Sequence, residues 1–91
     1  MFVVVSYDIP DDKRRVKVAK ALKAFGDRVQ YSVFECNVDK DQLAKMERRL
    51  VRLIEESEDS VRIYLVCNSC KTHITIFGQG TVSEDPELII I

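Results

Sequence analysis

Asp8 stands where a β-branched run, Phe2-Val3-Val4-Val5-Ser6-Tyr7, stops against Ile9-Pro10-Asp11-Asp12. A carboxylate at a strand end can hold a hard cation or a nucleophilic water. The natural cation for a lone oxygen donor of this kind is Mg²⁺, held poorly by one carboxylate, with water filling the remaining positions. Two copies of Asp8 facing each other across a dimer axis would share the metal and activate a water or stabilise a phosphoryl oxyanion. The plainer reading of Asp8 is that it shapes the turn or caps the helix beyond it.

The basic residues are unevenly placed. Between Lys13 and Arg28 lie seven basic residues against one acid, Asp27, whereas Thr72–Ile91 has no Lys or Arg and three acids, Glu84, Asp85 and Glu87. The net charge of −1 hides this asymmetry. It predicts one basic face and one acidic tail, with a solvated helix face as the bland alternative. Arg14, Arg15 and Arg28 suit phosphate, because a guanidinium meets phosphate oxygens with two parallel donors. Ion pairs with Asp11, Asp12 or Asp27 are the competing use of the same side chains. Tyr7 points away from Asp8 and packs, its hydroxyl at the rim. Ser32 is either a donor to phosphate or a satisfied polar group of the sheet.

Cys67-Asn68-Ser69-Cys70 with His73 has the outline of half a zinc site. Cys36 is the one other thiol and His73 the one histidine, so the set would just supply four ligands. Cys36 and Cys67 fall within strand-like runs, however, and read as small core residues. Three cysteines make an odd number, which argues against a disulfide framework and fits a reducing compartment. No Ser-His-Asp arrangement, P-loop or GxGxxG is present.

The elements that position these groups follow from pattern. At 91 residues, 46% hydrophobic and 32% charged, the chain is one globular domain, residues 1–91. No apolar stretch nears the ~20 residues that span a bilayer, so a cytoplasmic protein without a membrane is expected. Residues 2–8 read as a strand, and a helix over about 11–25 starts at Asp11 or Asp12 and ends near Gly26. On it Val18, Ala21, Leu22 and Phe25 share a face opposite Lys13, Lys17 and Lys20, and both Arg14 and Arg15 lean toward the sheet. A second strand spans about 28–37, with imperfect alternation. A second helix, about 40–56, opens on a capping box of Asp39 and Gln42 and buries Leu43, Met46, Leu50, Leu53 and Ile54. Strands follow at 61–67 and 73–77, and residues 87–91 form a short apolar strand after Pro86.

That order suits a ferredoxin-like α+β sandwich, βαββαβ with an extra C-terminal strand and both helices on one face of an antiparallel sheet. The second face carries apolar groups and would be left open, which predicts association. Residues 87–91 would pair with a neighbouring chain's sheet edge, most simply in a two-fold homodimer.

Tyr7-Asp8-Ile9, then Asp12-Lys13-Arg14-Arg15, then Arg28-Val29-Gln30-Tyr31-Ser32-Val33-Phe34-Glu35-Cys36 closely resemble the small CRISPR-associated adaptation protein family. That family is the ferredoxin-like partner of the CRISPR integrase and is often called an endoribonuclease. The likeness runs through Val61-Arg62-Ile63-Tyr64 and the C-terminal strand; a toxin-like ribonuclease family shares the fold. The resemblance implies a homodimer whose last strand crosses to the partner's sheet, with Asp8 as the catalytic residue and the Mg²⁺ ligand shared across it. It implies nucleic-acid contacts at Arg14, Arg15, Lys17 and Arg28, and an aromatic near the site at Phe34. The implied activity is endonucleolytic cleavage of single-stranded RNA or double-stranded DNA. The implied biological role is antiviral defence, bridging integrase dimers around DNA during spacer acquisition. The Cys67–Cys70 turn lies outside that pattern.

Overall fold

A computed structural model describes residues 1–83. Its elements run β1 (Phe2–Asp8), α1 (Asp12–Leu22), β2 (Gly26–Gln30), β3 (Val33–Asn37), α2 (Lys40–Leu53), β4 (Ser60–Val66) and α3 (Asn68–Lys71). The four strands form one sheet in the order β2-β3-β1-β4, with every neighbouring pair antiparallel. The first six elements give βαββαβ, the expected ferredoxin-like α+β arrangement, with β1 central between β3 and β4.

Alternation along β1 decides what lies inside. Val3, Val5 and Tyr7 are buried on one face, while Ser6 is half-buried and Asp8 exposed on the other. Val18, Ala19 and Leu22 of α1 and Met46 and Leu50 of α2 join them in one core, with Phe34 and Cys36 from β3. Both helices therefore seal the same sheet face, as their apolar stripes demand. Each helix begins at an aspartate. The Asp11 carboxylate accepts from the Arg14 N–H at 2.9 Å, and Asp39 completes a capping box with Gln42. These caps satisfy N–H groups that have no partner within a helix.

The expected long strand at 28–37 is instead a hairpin. It breaks at Tyr31-Ser32, and the register shifts between Arg28 and Gln30. The imperfect alternation is the mark of that irregularity, since an extra residue in one strand resets which side chains face inward. The hairpin supplies the strand that completes βαββαβ. The helix predicted over 11–25 is shorter, because Gly26 already pairs with Cys36 as the first residue of β2.

The strand expected at 73–77 is absent. After β4 the chain turns into α3, held by Lys71 N–H to the Cys67 carbonyl at 2.9 Å and Thr72 Oγ1 to the Ser69 carbonyl at 2.6 Å. That turn carries residues 73–77 away from the edge of β4, and β-propensity without a ladder partner does not make a strand. Residues 74–83 instead cross the second sheet face. Ile74, Ile76 and Thr81 oppose Val29, Val33 and Glu35 across a hollow of about 240 Å³, and the Ser83 N–H donates to Glu35 Oε1 at 2.9 Å. The face expected to lie open is thus partly covered by the chain itself. The expected strand at 87–91 lies outside the described residues.

Candidate nucleic-acid and metal site

One end of the sheet gathers the residues singled out above. Asp8 closes β1 opposite Ser60, the first residue of β4. Next to Ser60 is Asp59, and beyond Asp8 the Ile9 carbonyl faces α1. On the other flank, the Tyr7 N–H donates to the Ser32 carbonyl at 3.1 Å, which brings the Tyr31-Ser32 turn beside the end of β1. Tyr7, Asp8, Arg14, Arg15, Arg28 and Ser32 are therefore neighbours of this one end. Lys17 is exposed on α1, one turn further on.

The arginines are not idle. Arg14 Nε and Nη2 grip both oxygens of Asp59, at 2.8 and 3.1 Å, and Nη2 also reaches Glu58 at 2.9 Å. The Asp59 side chain is fully buried in this grip and also accepts the Glu55 N–H at 2.8 Å. The hydrogen bonds from Arg14 hold the Asp59 carboxyl below its ordinary value, and Asp59 in turn raises the already high value of Arg14. Arg15 donates to the Ile9 carbonyl at 3.0 Å and pairs with Asp12. Both arginines lean toward the sheet as the helical spacing predicted. Arg15 takes one of the anticipated acid partners, whereas Arg14 takes two that the sequence did not single out. Asp59 ends the acidic stretch Glu55-Glu56-Ser57-Glu58-Asp59, in which no motif sets it apart.

Arg28 is held differently. Its Nε and Nη2 converge on the Tyr31 carbonyl at 3.0 and 2.7 Å, and its guanidinium carbon lies 5.3 Å from the Tyr31 ring centre. The same carbonyl accepts the Tyr7 hydroxyl at 3.4 Å. Among the described residues Arg28 is thus oriented by a carbonyl and enters no salt bridge. Tyr7 is buried, as its alternation predicted. Phe34 is wholly buried behind it, with ring centres 6.4 Å apart, so it supports the site from within the core. Ser32 is half-buried in the hairpin turn.

Asp8 is the exposed carboxylate of this cluster and enters no salt bridge among the described residues. Its oxygens are the right chemistry for a hard cation. Their number is not: no group of three or more potential ligands gathers among the described residues. A single chain therefore fits Mg²⁺ in donor type and falls short in donor count. The four-ligand zinc set is likewise not assembled, since Cys36 is buried in β3 while Cys67 and Cys70 are exposed at α3. Cys67 caps α3 and lies outside both strand and core.

Fold and site together define a small ferredoxin-like domain that places an exposed strand-end carboxylate beside basic side chains at one end of its sheet. The family model for CRISPR associated protein Cas2 matches residues 1–74, and the chain belongs to that family. A Chloroflexus aurantiacus relative named CRISPR-associated endoribonuclease Cas2 1 is 44% identical, covering 100% of this chain and 99% of its own. The crystal structure of Streptococcus pyogenes Cas2 superposes with a TM-score of 0.78 at 36% identity, over 86% of this chain and 100% of that one. A chain from a partial Cas6-RT-Cas1–Cas2 complex matches with a TM-score of 0.73 at 28% identity, over 82% of this chain and 88% of that one. Among the described residues no helix is long and apolar enough to cross a membrane.

Proposed function

We propose that the chain acts as a homodimeric nucleic-acid-binding subunit that bridges the CRISPR integrase during spacer acquisition. The observation that carries this reading is the make-up of the site: Arg28 is aimed by the Tyr31 carbonyl, Lys17 is exposed, and around Asp8 no group of three potential metal ligands gathers among the described residues. That composition suits holding a phosphate backbone better than cleaving it, because nuclease chemistry ordinarily draws on two metals or on a metal and a base. The relative solved in a Cas1–Cas2 complex supports assembly with an integrase. The homodimer would place two such sites on one particle, with the residues after Pro86 pairing onto the partner's sheet.

A second reading has its own support in the exposed Asp8, which enters no salt bridge among the described residues, and in the endoribonuclease name of the relative. In it, two Asp8 carboxylates meet across the dimer and hold Mg²⁺, which would supply charge stabilisation at a phosphodiester. Arg28 and Lys17 would then orient the single-stranded RNA or duplex DNA, and the aspartates would have to be ionised. The two readings separate in one experiment. Labelled RNA and duplex DNA are incubated with wild type and Asp8→Asn, in Mg²⁺ or EDTA, and each protein is tested in reconstituted spacer integration. The bridging role predicts integration at near wild-type level with Asp8→Asn, and loss of integration when Lys17 and Arg28 are both reversed to Glu. Mg²⁺-dependent cutting that disappears in Asp8→Asn establishes the nuclease; loss of integration in the same variant overturns the bridging reading.

A further inference from the structure

At the opposite end of β1 from Asp8 lies a feature that the proposed function does not use. Cys67 follows β4 directly, and Cys70 follows three residues later in the same turn. Both thiols are exposed. The Cys70 N–H donates to the Cys67 sulfur at 3.4 Å, and the Ser69 hydroxyl lies 3.3 Å from that sulfur. Cys67 also lines an open hollow of about 510 Å³ with Met1, Phe2, Leu65, Val66 and Asn68. Lys71 Nζ lies 4.8 Å from the centre of the Phe2 ring, so the turn packs back onto β1.

We propose that Cys67 and Cys70 form a reversible dithiol–disulfide couple, in which Cys67 attacks a small-molecule disulfide and Cys70 resolves the product. The roles follow from the contacts. Cys67 receives the hydrogen bonds that favour a thiolate, and Cys70 supplies one of them. A thiolate on Cys67 disfavours a second negative charge within the same turn, so Cys70 keeps its own proton longer. In accord with this, the Cys67 thiol is pulled down to about 7 by Ser69 and the Cys70 N–H, and the Cys70 thiol is raised by Cys67. Cys36 is excluded from the couple. It is buried in the core, and burial pushes its thiol up to about 11.

The exchange balances with an oxidant RS–SR. The Cys67 thiolate attacks one sulfur, the S–S bond breaks, and RS⁻ departs and takes a proton. Cys70 then gives up its proton and attacks Cys67 Sγ, expelling the second RS⁻. Two protein thiols are oxidised to one disulfide, and one RS–SR is reduced to two RSH. The hollow beside Cys67 gives the disulfide a place to approach from. The spacing suits closure, because two residues between the cysteines bring both sulfurs to one side of a single turn.

The test uses the full chain in glutathione buffers of graded oxidised-to-reduced ratio, with acid quench, alkylation and intact mass, and peptide mapping of the bridge. Wild type is expected to lose two hydrogens and map to Cys67–Cys70, with Cys36 alkylated only after denaturation. Cys70→Ser is expected to stop at one glutathione on Cys67. Cys67→Ser should react more slowly: a thiolate fraction ~16-fold larger at pH 7, offset by lower intrinsic nucleophilicity, leaves Cys67 roughly threefold faster than an ordinary thiol. Cys36→Ser should behave as wild type, with circular dichroism confirming that every variant is folded. Adducts of equal rate at both cysteines, bridges only between chains, or two free thiols at the most oxidising ratio would each overturn the proposal.

Discussion

Asp59 shows how one side chain can decide the use of another. Arg14 is a natural phosphate ligand by type and position, yet its fork closes on Asp59. Since Arg14 holds the Asp59 carboxyl below its usual 3.8 in the folded state, the pair contributes stability that is fully present above that value. The contribution is lost as pH falls through the lower folded value, where Asp59 takes up a proton and becomes chemically close to an asparagine. Asp59→Asn should therefore lower the urea midpoint clearly at about pH 7, with the gap between wild type and variant narrowing as the pH falls below the ordinary carboxylate range. Chemical denaturation at the two pH values measures the gap; a gap unchanged by acid would show that packing, and not charge, is what Asp59 supplies. None of this is legible in the sequence, where Asp59 ends an acidic stretch like any solvated loop. Asp8, by contrast, is legible, because a strand ending in a carboxylate before Ile-Pro can be read from local pattern alone.

Between residue and molecule, the hairpin of β2 and β3 is where local pattern points to the wrong boundary and the right fold. Nothing in Gln30-Tyr31-Ser32-Val33 resembles the Asn-Gly turns that mark hairpins, and the register shift near Arg28 blurs the alternation that would reveal two strands. The helices are easier, since Asp11, Asp39 and Gln42 act on their own neighbours and the apolar stripes repeat at a fixed spacing. The strand expected at 73–77 fails for the opposite reason. Its residues have the propensity, but α3 directs them away from a pairing edge, and pairing is a property of the sheet. Gly26 shows how tightly the hairpin is closed: a Cβ there would strike the Glu35 carbonyl and come within 2.6 Å of Cys36 Sγ. Part of that obstruction is backbone and cannot rotate aside. Gly26→Ala should cost about 1–3 kcal/mol, a fall in Tm on the order of 10 °C for a domain of this size. A thermal melt followed by circular dichroism checks it, and an unchanged Tm would mean that β2 can slide away from β3 freely.

For the molecule as a whole, the question is how a chain of net charge −1 would hold a polyanion. Binding must come from local placement, so its salt dependence reports which cations touch phosphate. Each duplex phosphate neutralised steepens the fall of log affinity with log salt by roughly 0.9. Lys17 is exposed, and Arg28 is aimed by a carbonyl and enters no salt bridge among the described residues. Arg14 is engaged in an ion pair whose acid is buried, and Arg15 is tied to Ile9 and Asp12. Drawing Arg14 onto DNA would leave Asp59 charged and without its partner, a cost that an exposed lysine does not carry. Fluorescence anisotropy with a labelled duplex, across a salt series, should therefore show Lys17→Ala and Arg28→Ala each making the slope shallower by about 0.9 for every phosphate that a protomer ceases to neutralise. Arg14→Ala should mainly lower thermal stability and leave the slope near that of wild type. If Arg14→Ala instead flattens the slope while its Tm holds, the ion pair opens on binding, and the end of β1 is remodelled by the nucleic acid it meets.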